Sequence, residues 1–492
     1  MPYILAIDEG TTSARAALYD RQARRVAMAA VATVSHFPQP GWVEQDASLI
    51  WQSQLQAVRD TLGQAGAAIA DVHAIGITNQ RETTVVWDRL TGQPVAPAIV
   101  WQCRRTAARC RDLAAHAAKI TRKSGLVVDA YFSGTKIEWI LDNVEGARSR
   151  AENGDLLFGN IDTWLIWNLT GGRVHVTDPT NASRTMLMNL ATGEWDDELL
   201  TLLNVPRAML PAIVPSSSVI GHTDAELLGA EIPIAGIAGD QQAALAGQAC
   251  FAKGLSKNTY GTGCFALLHA GATEPISENR LLATRAASAT SEAQFAVEGS
   301  IFIAGAAVQW LRDKLGIIAN APETESIASS VPDTGGVYFV PAFVGLGAPH
   351  WDAEARAEIT GLTLGSGRAE IVRATLESMA YQTRELIQAM EGDSGTRLAE
   401  LRVDGGAAAN NFLMQFQADI LDRPVVRPAD PETTALGAAF LAGLATGYWQ
   451  STAEVQSFWQ AERTFEPRMA SSTRDALWSG WQRAVGKSRT NC

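Results

Sequence analysis

The residues best suited to chemistry in this sequence sit in short turns of glycine and hydroxyl side chains. Asp8-Glu-Gly-Thr-Thr-Ser13 lies between two apolar, β-prone runs, Tyr3 to Ile7 and Ala14 to Tyr19. A tip of this kind between paired strands offers phosphate oxygens backbone N–H groups that no side chain obstructs. Thr11, Thr12 and Ser13 add hydroxyl donors, and Arg15 on the second run adds a fixed positive charge. Asp8, at the end of the first run, is placed to hold Mg²⁺ through water. Near the middle the order returns: Ser256 to Tyr260, the tip Gly261-Thr262-Gly263, then Cys264 to Leu268. Val403-Asp404-Gly405-Gly406 ends another short strand, where paired glycines would let an adenosine lie on bare backbone. Taken alone, the first tip is more simply a hairpin turn. Its repetition favours the grip and transfer of a phosphoryl group.

The elements that must position these tips follow from hydrophobic spacing. Val26 to Val34 reads as a third strand, making an antiparallel meander rather than the strand-then-helix opening of a dinucleotide-binding fold. Ser48 to Leu62 has helical spacing, Val72 to Thr78 is strand-like, and Asp240 is expected to cap a helix through Gln248. In the second half, Ile301 to Leu315, Glu370 to Met390 and Asn411 to Leu421 read as helices and Leu401 to Val403 as a short strand. Both halves are therefore α/β. A chain of 492 residues exceeds the ~250–300 at which single cores stop growing, so two domains are expected. The joint falls where an Ala-rich helix ends near Gly254, which gives domains of 1–249 and 250–492.

Composition removes several classes of function. A formal net charge of −12 disfavours a surface built for nucleic acid. The densest basic cluster, Arg104, Arg105, Arg109 and Arg111, reads as a solvated helix face. Five scattered cysteines without CxxC spacing, Cys103, Cys110, Cys250, Cys264 and Cys492, argue against a disulfide framework or zinc site and fit a reducing cytoplasm. The start, Met1 into Tyr3-Ile-Leu-Ala-Ile7, is too short and uncharged for a signal peptide, and no apolar run reaches the ~18 residues of a membrane span. The nearest approach to a P-loop, Gly480 to Gly486-Lys487-Ser488, has the wrong glycine spacing, and no protein-kinase HRD or DFG segment occurs.

Taken in order, Asp8 to Ser13, Gly76-Ile-Thr-Asn-Gln-Arg-Glu-Thr-Thr84, Ala98-Ile-Val-Trp-Gln-Cys-Arg-Arg105 and Gly239-Asp-Gln-Gln-Ala243 resemble the glycerol kinases of the FGGY carbohydrate kinase family. Asn258-Thr-Tyr-Gly-Thr-Gly-Cys-Phe265, Pro341-Ala-Phe-Val-Gly-Leu-Gly-Ala-Pro349, Arg402-Val-Asp-Gly-Gly406 and Asn410 to Gln417 are similar to the same family, so the likeness covers nearly the whole chain. The resemblance implies two actin-like (ribonuclease H-like) ATPase domains with mixed sheets flanked by helices and a cleft between them. It implies that Arg81, Glu82, Tyr131, Asp240 and Gln241 hydrogen-bond glycerol while Trp101 and Phe265 wall its carbons. A triol needs such a mixture of donors, acceptors and apolar surface. Met in isolation, the same residues would be a strand-edge ion pair, core aromatics, a loop tyrosine and a helix cap.

On that resemblance, Thr11, Thr12, Ser13, Arg15 and Thr262 hold the ATP phosphates. Gly305, Gln309, Gly406 and Asn410 contact the nucleotide, and Mg²⁺ sits near Asp8. Asp240 is expected to act as general base in making sn-glycerol 3-phosphate, in glycerol uptake and catabolism. Glu9 and Ala14 depart from the Gln and Ser of many relatives. His222 to Glu231 lacks the glycine- and arginine-rich loop with which some bind fructose 1,6-bisphosphate, and the histidine phosphorylated in others, so neither control is expected. A homodimer or homotetramer is implied. The rival readings are a kinase for another polyol or a sugar such as xylulose, and an actin-like or chaperone ATPase with no polyol pocket.

Overall fold

The computed structural model describes residues 2–490; Cys492 lies outside the described residues. The chain builds two mixed sheets of matching topology. In the first half β1 (Tyr3–Glu9), β2 (Ser13–Tyr19) and β3 (Arg25–Ala32) form the antiparallel meander. Helix α1 (Ala47–Ala65) follows, its first turn capped by Asp46, which accepts from the N–H groups of Ser48 and Leu49. The chain then returns as β4 (Val72–Asn79), parallel to β1. Helices α2 (Ala107–Asp112) and α3 (Ser133–Asn143) precede β5 (Pro233–Gly239), which is parallel to β4 and runs straight into α4 (Asp240–Gly247).

The second half repeats the pattern. β6 (Leu255–Tyr260), β7 (Cys264–Gly271) and β8 (Phe295–Ile301) are antiparallel neighbours. Helices α5 (Gly305–Asp313) and α6 (Arg368–Ser394) lead to β9 (Glu400–Asp404), parallel to β6. After α7 (Asn411–Leu421), β10 (Val425–Pro428) lies parallel to β9 and is followed by α8 (Thr433–Ala445). The orders β3-β2-β1-β4-β5 and β8-β7-β6-β9-β10 are thus the same, which bears out the internal repeat read from the two tips.

β1 reads as an unbroken apolar run because both of its faces are covered. Leu5 and Ile7 join the core that contains Ile50, Ala57 and Val58 of α1, whereas Ile4 and Ala6 join Ala435, Ala438 and Ala439 of α8. The helix that ends the second motif therefore packs on the first sheet. It also crosses α4 with backbone in near contact: a Cβ on Gly437 would fall 1.8 Å from the Ala243 carbonyl oxygen, and one on Gly247 would fall 1.8 Å from that of Thr433. Only glycine permits that approach. Several predicted bounds move. The helix expected from Ile301 starts at Gly305, because Ile301 still pairs with Cys264 across the sheet. The cap of α4 is Gly239 rather than Asp240, which is the first helical residue.

The basic cluster is solvated at Arg104 and Arg111, as expected, but not at Arg105. Arg105 precedes α2, its side chain 2% exposed, paired with Glu44 and lying over the rings of Trp42 and Trp139. Arg104 pairs with Asp129 and Arg109 with Glu138, each through two hydrogen bonds. Guanidinium groups bind carboxylates and aromatic faces together, a choice that spacing along one helix cannot reveal. Cys103, Cys110, Cys250 and Cys264 are free thiols. No helix among the described residues is long and apolar enough to cross a membrane.

Candidate active site

The β1–β2 tip closes through a hydrogen bond from Gly10 N to Ser13 O (3.0 Å). Thr12 stands exposed, but the Thr11 hydroxyl is engaged on both sides, donating to Gln80 Oε1 (3.2 Å) and accepting from Trp101 Nε1 (2.9 Å). The predicted aromatic wall is therefore tied directly to the phosphate-type tip. Arg15 Nε donates to Ser13 Oγ (3.1 Å), while its Nη1 lies 4.0 Å from Asp8 and 3.5 Å from Glu432, a residue of the second half. Burial pushes the Asp8 carboxyl up to about 7, against the pull of Arg15. Glu9, on the opposite face of β1, is fully buried with neither carboxylate oxygen hydrogen-bonded, and burial raises its carboxyl too.

Below the tips lies a buried charge network that spans both halves. Arg81 follows the end of β4; its two Nη atoms bond the Glu298 carboxylate of β8 (2.5 and 2.9 Å), and Nη1 also donates to Gln242 (3.2 Å). Its Nε sits 3.2 Å from Asp240 Oδ1, within ion-pair range but without hydrogen-bond geometry. Arg184, fully buried, donates from Nε to Glu82 (2.6 Å) and from Nη2 to Glu298 (3.2 Å). Burial alone would raise the Glu298 carboxyl, but Arg184 and Arg81 outweigh it and hold it at about 2. Burial raises Glu82 despite the same two arginines. The Glu82 carboxylate is thus turned to Arg184 and is 1% exposed, whereas Asp240, with a side chain 33% exposed, faces open space.

Trp101, Tyr131, Phe265 and Glu298 line a cavity of about 770 Å³ between the halves. The rings of Trp101 and Tyr131 meet edge to face with centroids 5.6 Å apart. Gln241 accepts from the buried ammonium of Lys257, which also donates to Thr259 (3.0 Å). Burial lowers the pKa of that lysine. In the second half, Thr262, Gly305, Gln309, Gly406 and Asn410 line one cavity of about 350 Å³. Gly405 has φ +85, and a Cβ there would meet the Tyr260 carbonyl oxygen at 2.5 Å. A Cβ on Gly406 would meet nothing within 4 Å, so that face of the tip is open.

Sequence reasoning named the tip, wall and helix-end residues but did not name Arg184, Glu298, Lys257, Gln80 or Gln242. None of these stands in a glycine-rich tip. Glu298 carried a signal in its placement, since a carboxylate within the apolar strand Phe295–Ile301 demands a partner once buried.

A cavity of about 350 Å³ beside one tip, and an aromatic-walled cavity next to a buried charge network beside the other, on paired sheets of equal topology, define a two-domain sugar- or polyol-kinase architecture of actin-like type. Residues 3–247 match the N-terminal domain of the FGGY family of carbohydrate kinases and residues 256–446 match its C-terminal domain, so the chain belongs to that family. Within it, the chain is 59% identical over 490 residues to glycerol kinase 2 of Thermotoga maritima, covering 99% of each chain. It is 60% identical over 489 residues to glycerol kinase of Symbiobacterium thermophilum, covering 99% of this chain and 98% of that one. Among solved structures, glycerol kinase of Plasmodium falciparum with ADP superposes with a TM-score of 0.96 at 36% identity, covering 100% of this chain and 99% of the other. Xylulose kinase from Lactobacillus acidophilus shares the fold, with a TM-score of 0.89 at 23% identity, covering 99% and 98%.

Proposed function

We propose that this chain transfers the γ-phosphoryl group of ATP to the terminal hydroxyl of glycerol, giving sn-glycerol 3-phosphate and ADP. The observation that carries this reading is the position of Asp240: a partly exposed carboxylate at the end of β5, 3.2 Å from Arg81 Nε. The glycerol kinases to which the chain is similar along its whole length support the choice of acceptor. In this reading Arg81, Glu82, Tyr131 and Gln241 orient the triol, with Trp101 and Phe265 against its carbons. Asp240 accepts the hydroxyl proton as the new O–P bond forms and the bond to the β-phosphate oxygen breaks. Thr11, Thr12, Ser13, Arg15 and Thr262 hold the phosphates. Gly305, Gln309, Gly406 and Asn410 take the nucleoside.

Asp8 fits Mg²⁺. It stands at the end of β1 beside the hydroxyl-rich tip, where it would hold the ion through water, and the charge of the ion would offset the burial that keeps its carboxyl high. When bound, Mg²⁺ would neutralise phosphate charge. The units 1–249 and 250–492 would close about the α4–α8 crossing, shutting water out so that turnover depends on the alcohol. A role in glycerol uptake and catabolism and a homodimeric or homotetrameric state follow from family likeness, and cytoplasmic residence from the free cysteines.

The test is ADP release with glycerol, xylulose, erythritol or no alcohol. Glycerol should give by far the highest kcat/KM. Preference for xylulose would make the chain a sugar kinase, and alcohol-independent release would favour an actin-like or chaperone ATPase.

A further inference from the structure

Lys136 lies in the first turns of α3 and is fully buried. Lysine is rarely placed so. Its Nζ donates to two backbone carbonyls, that of Glu82 at 3.1 Å and that of Tyr131. Tyr131 lines the cavity between the halves, and Glu82 belongs to the turn whose Arg81 Nε lies 3.2 Å from Asp240. Glu82 has φ +62, a left-handed conformation that a residue with a Cβ disfavours. Its carbonyl also accepts from Ser133 Oγ (3.2 Å) and Thr84 Oγ1 (3.1 Å). Asn160 Nδ2 braces the arrangement by donating to Ser133 Oγ (2.9 Å) and to the Thr83 carbonyl (3.0 Å). The turn that aims the Arg81 and Glu82 side chains in their different directions is therefore fixed from outside, by donors on α3.

We propose that Lys136 is a positioning residue of the acceptor site, joining the Glu82 and Tyr131 carbonyls through one ammonium so that the Arg81–Glu82 turn keeps a fixed distance from the Tyr131–Trp101 wall. This rests on the reading of that cleft as the acceptor site. Burial lowers the amine to about 7, and the groups that oppose this are the Glu82 carboxylate, Cys103, Asp129 and Cys110. A methionine would fill similar volume without that cost, so the hydrogen-bond donors are what distinguish lysine here. Lys136 does not itself line the cavity, so its effect must pass through the two segments it holds.

The test compares wild type, Lys136→Met and Ser133→Ala. Each is assayed for KM of glycerol at saturating ATP, for KM of ATP at saturating glycerol, and for the rise in Tm produced by glycerol and by ADP. In Lys136→Met the glycerol KM should rise roughly 10-fold or more, the size expected for loss of a charge-assisted hydrogen bond. The ATP KM should stay within about 2-fold, and glycerol, but not ADP, should lose its stabilising effect. Ser133→Ala should shift the same quantities less. An unchanged glycerol KM, or an equal rise in both KM values, overturns the proposal. Should Lys136→Met fail to fold, Ser133→Ala decides by the same criterion. If wild type prefers another alcohol, the substrate reading falls, and Lys136 is judged by the KM for that alcohol.

Discussion

At the end of the first sheet stand charged side chains, Asp8, Arg81, Glu82 and Asp240, with Arg184 and, from the second half, Glu298 paired to them. At the corresponding end of the second sheet the backbone is bare: Gly261, Gly305 and Gly406 line the cavity, and Gly405 supports it from behind. The two ends have the same strand order, so topology does not explain the contrast. A reacting hydroxyl needs groups that accept protons and fix direction, whereas a flat nucleoside needs room and unobstructed amides. One scaffold, used twice, supplies position; the side chains at each end supply the difference.

The largest test removes charge from the first end. Asp240→Asn is expected to lower kcat by roughly 10²–10⁴-fold while leaving glycerol and ADP binding intact, read by single-turnover kinetics and ligand-induced shifts in Tm. Turnover near the wild-type rate would make Asp240 a helix-terminal residue and no base.

The second test adds bulk to the other end. Gly405→Ala places a Cβ 2.5 Å from the Tyr260 carbonyl at φ +85, and should cost about 1–3 kcal/mol of stability by denaturant titration. The ATP KM should rise with little change in that for glycerol. Equal effects on both substrates would mean that the two ends are not functionally separate.

The third test, which reads stability alone, concerns Asp8. Because burial holds its carboxyl at about 7, the folded protein keeps a proton that the unfolded chain loses near the ordinary value of 3.8. Stability therefore falls as pH climbs between those two values, and the full penalty persists above about 7. Asp8→Asn should melt above wild type beyond about pH 7 and converge with it below the ordinary value, in the absence of divalent ions. Added Mg²⁺ with nucleotide should narrow that gap. A gap independent of pH would show that Asp8 is ionised in the folded protein.

Local sequence was enough to find the two hairpins, the strand at Val72 and the helices at Ser48 and Asn411. In these places apolar periodicity and turn residues act within a few positions of one another. The glycine-rich tips were legible for the same reason, whereas the acceptor residues and the nucleotide contacts Gly305, Gln309 and Asn410 were named on likeness to a known family; Trp101, Tyr131 and Phe265 line one cavity, and Thr262, Gly305, Gln309, Gly406 and Asn410 the other. Folding decided which charges meet. Arg184 and Glu298 stand 114 positions apart, yet they share one carboxylate–guanidinium contact. Arg105 left the surface for Glu44 and two tryptophan rings, and α8 (Thr433–Ala445) returned to pack on β1 (Tyr3–Glu9), at the other end of the chain. Such pairings are set by burial of charge and by close packing between distant segments, and neither leaves a periodic mark in the sequence.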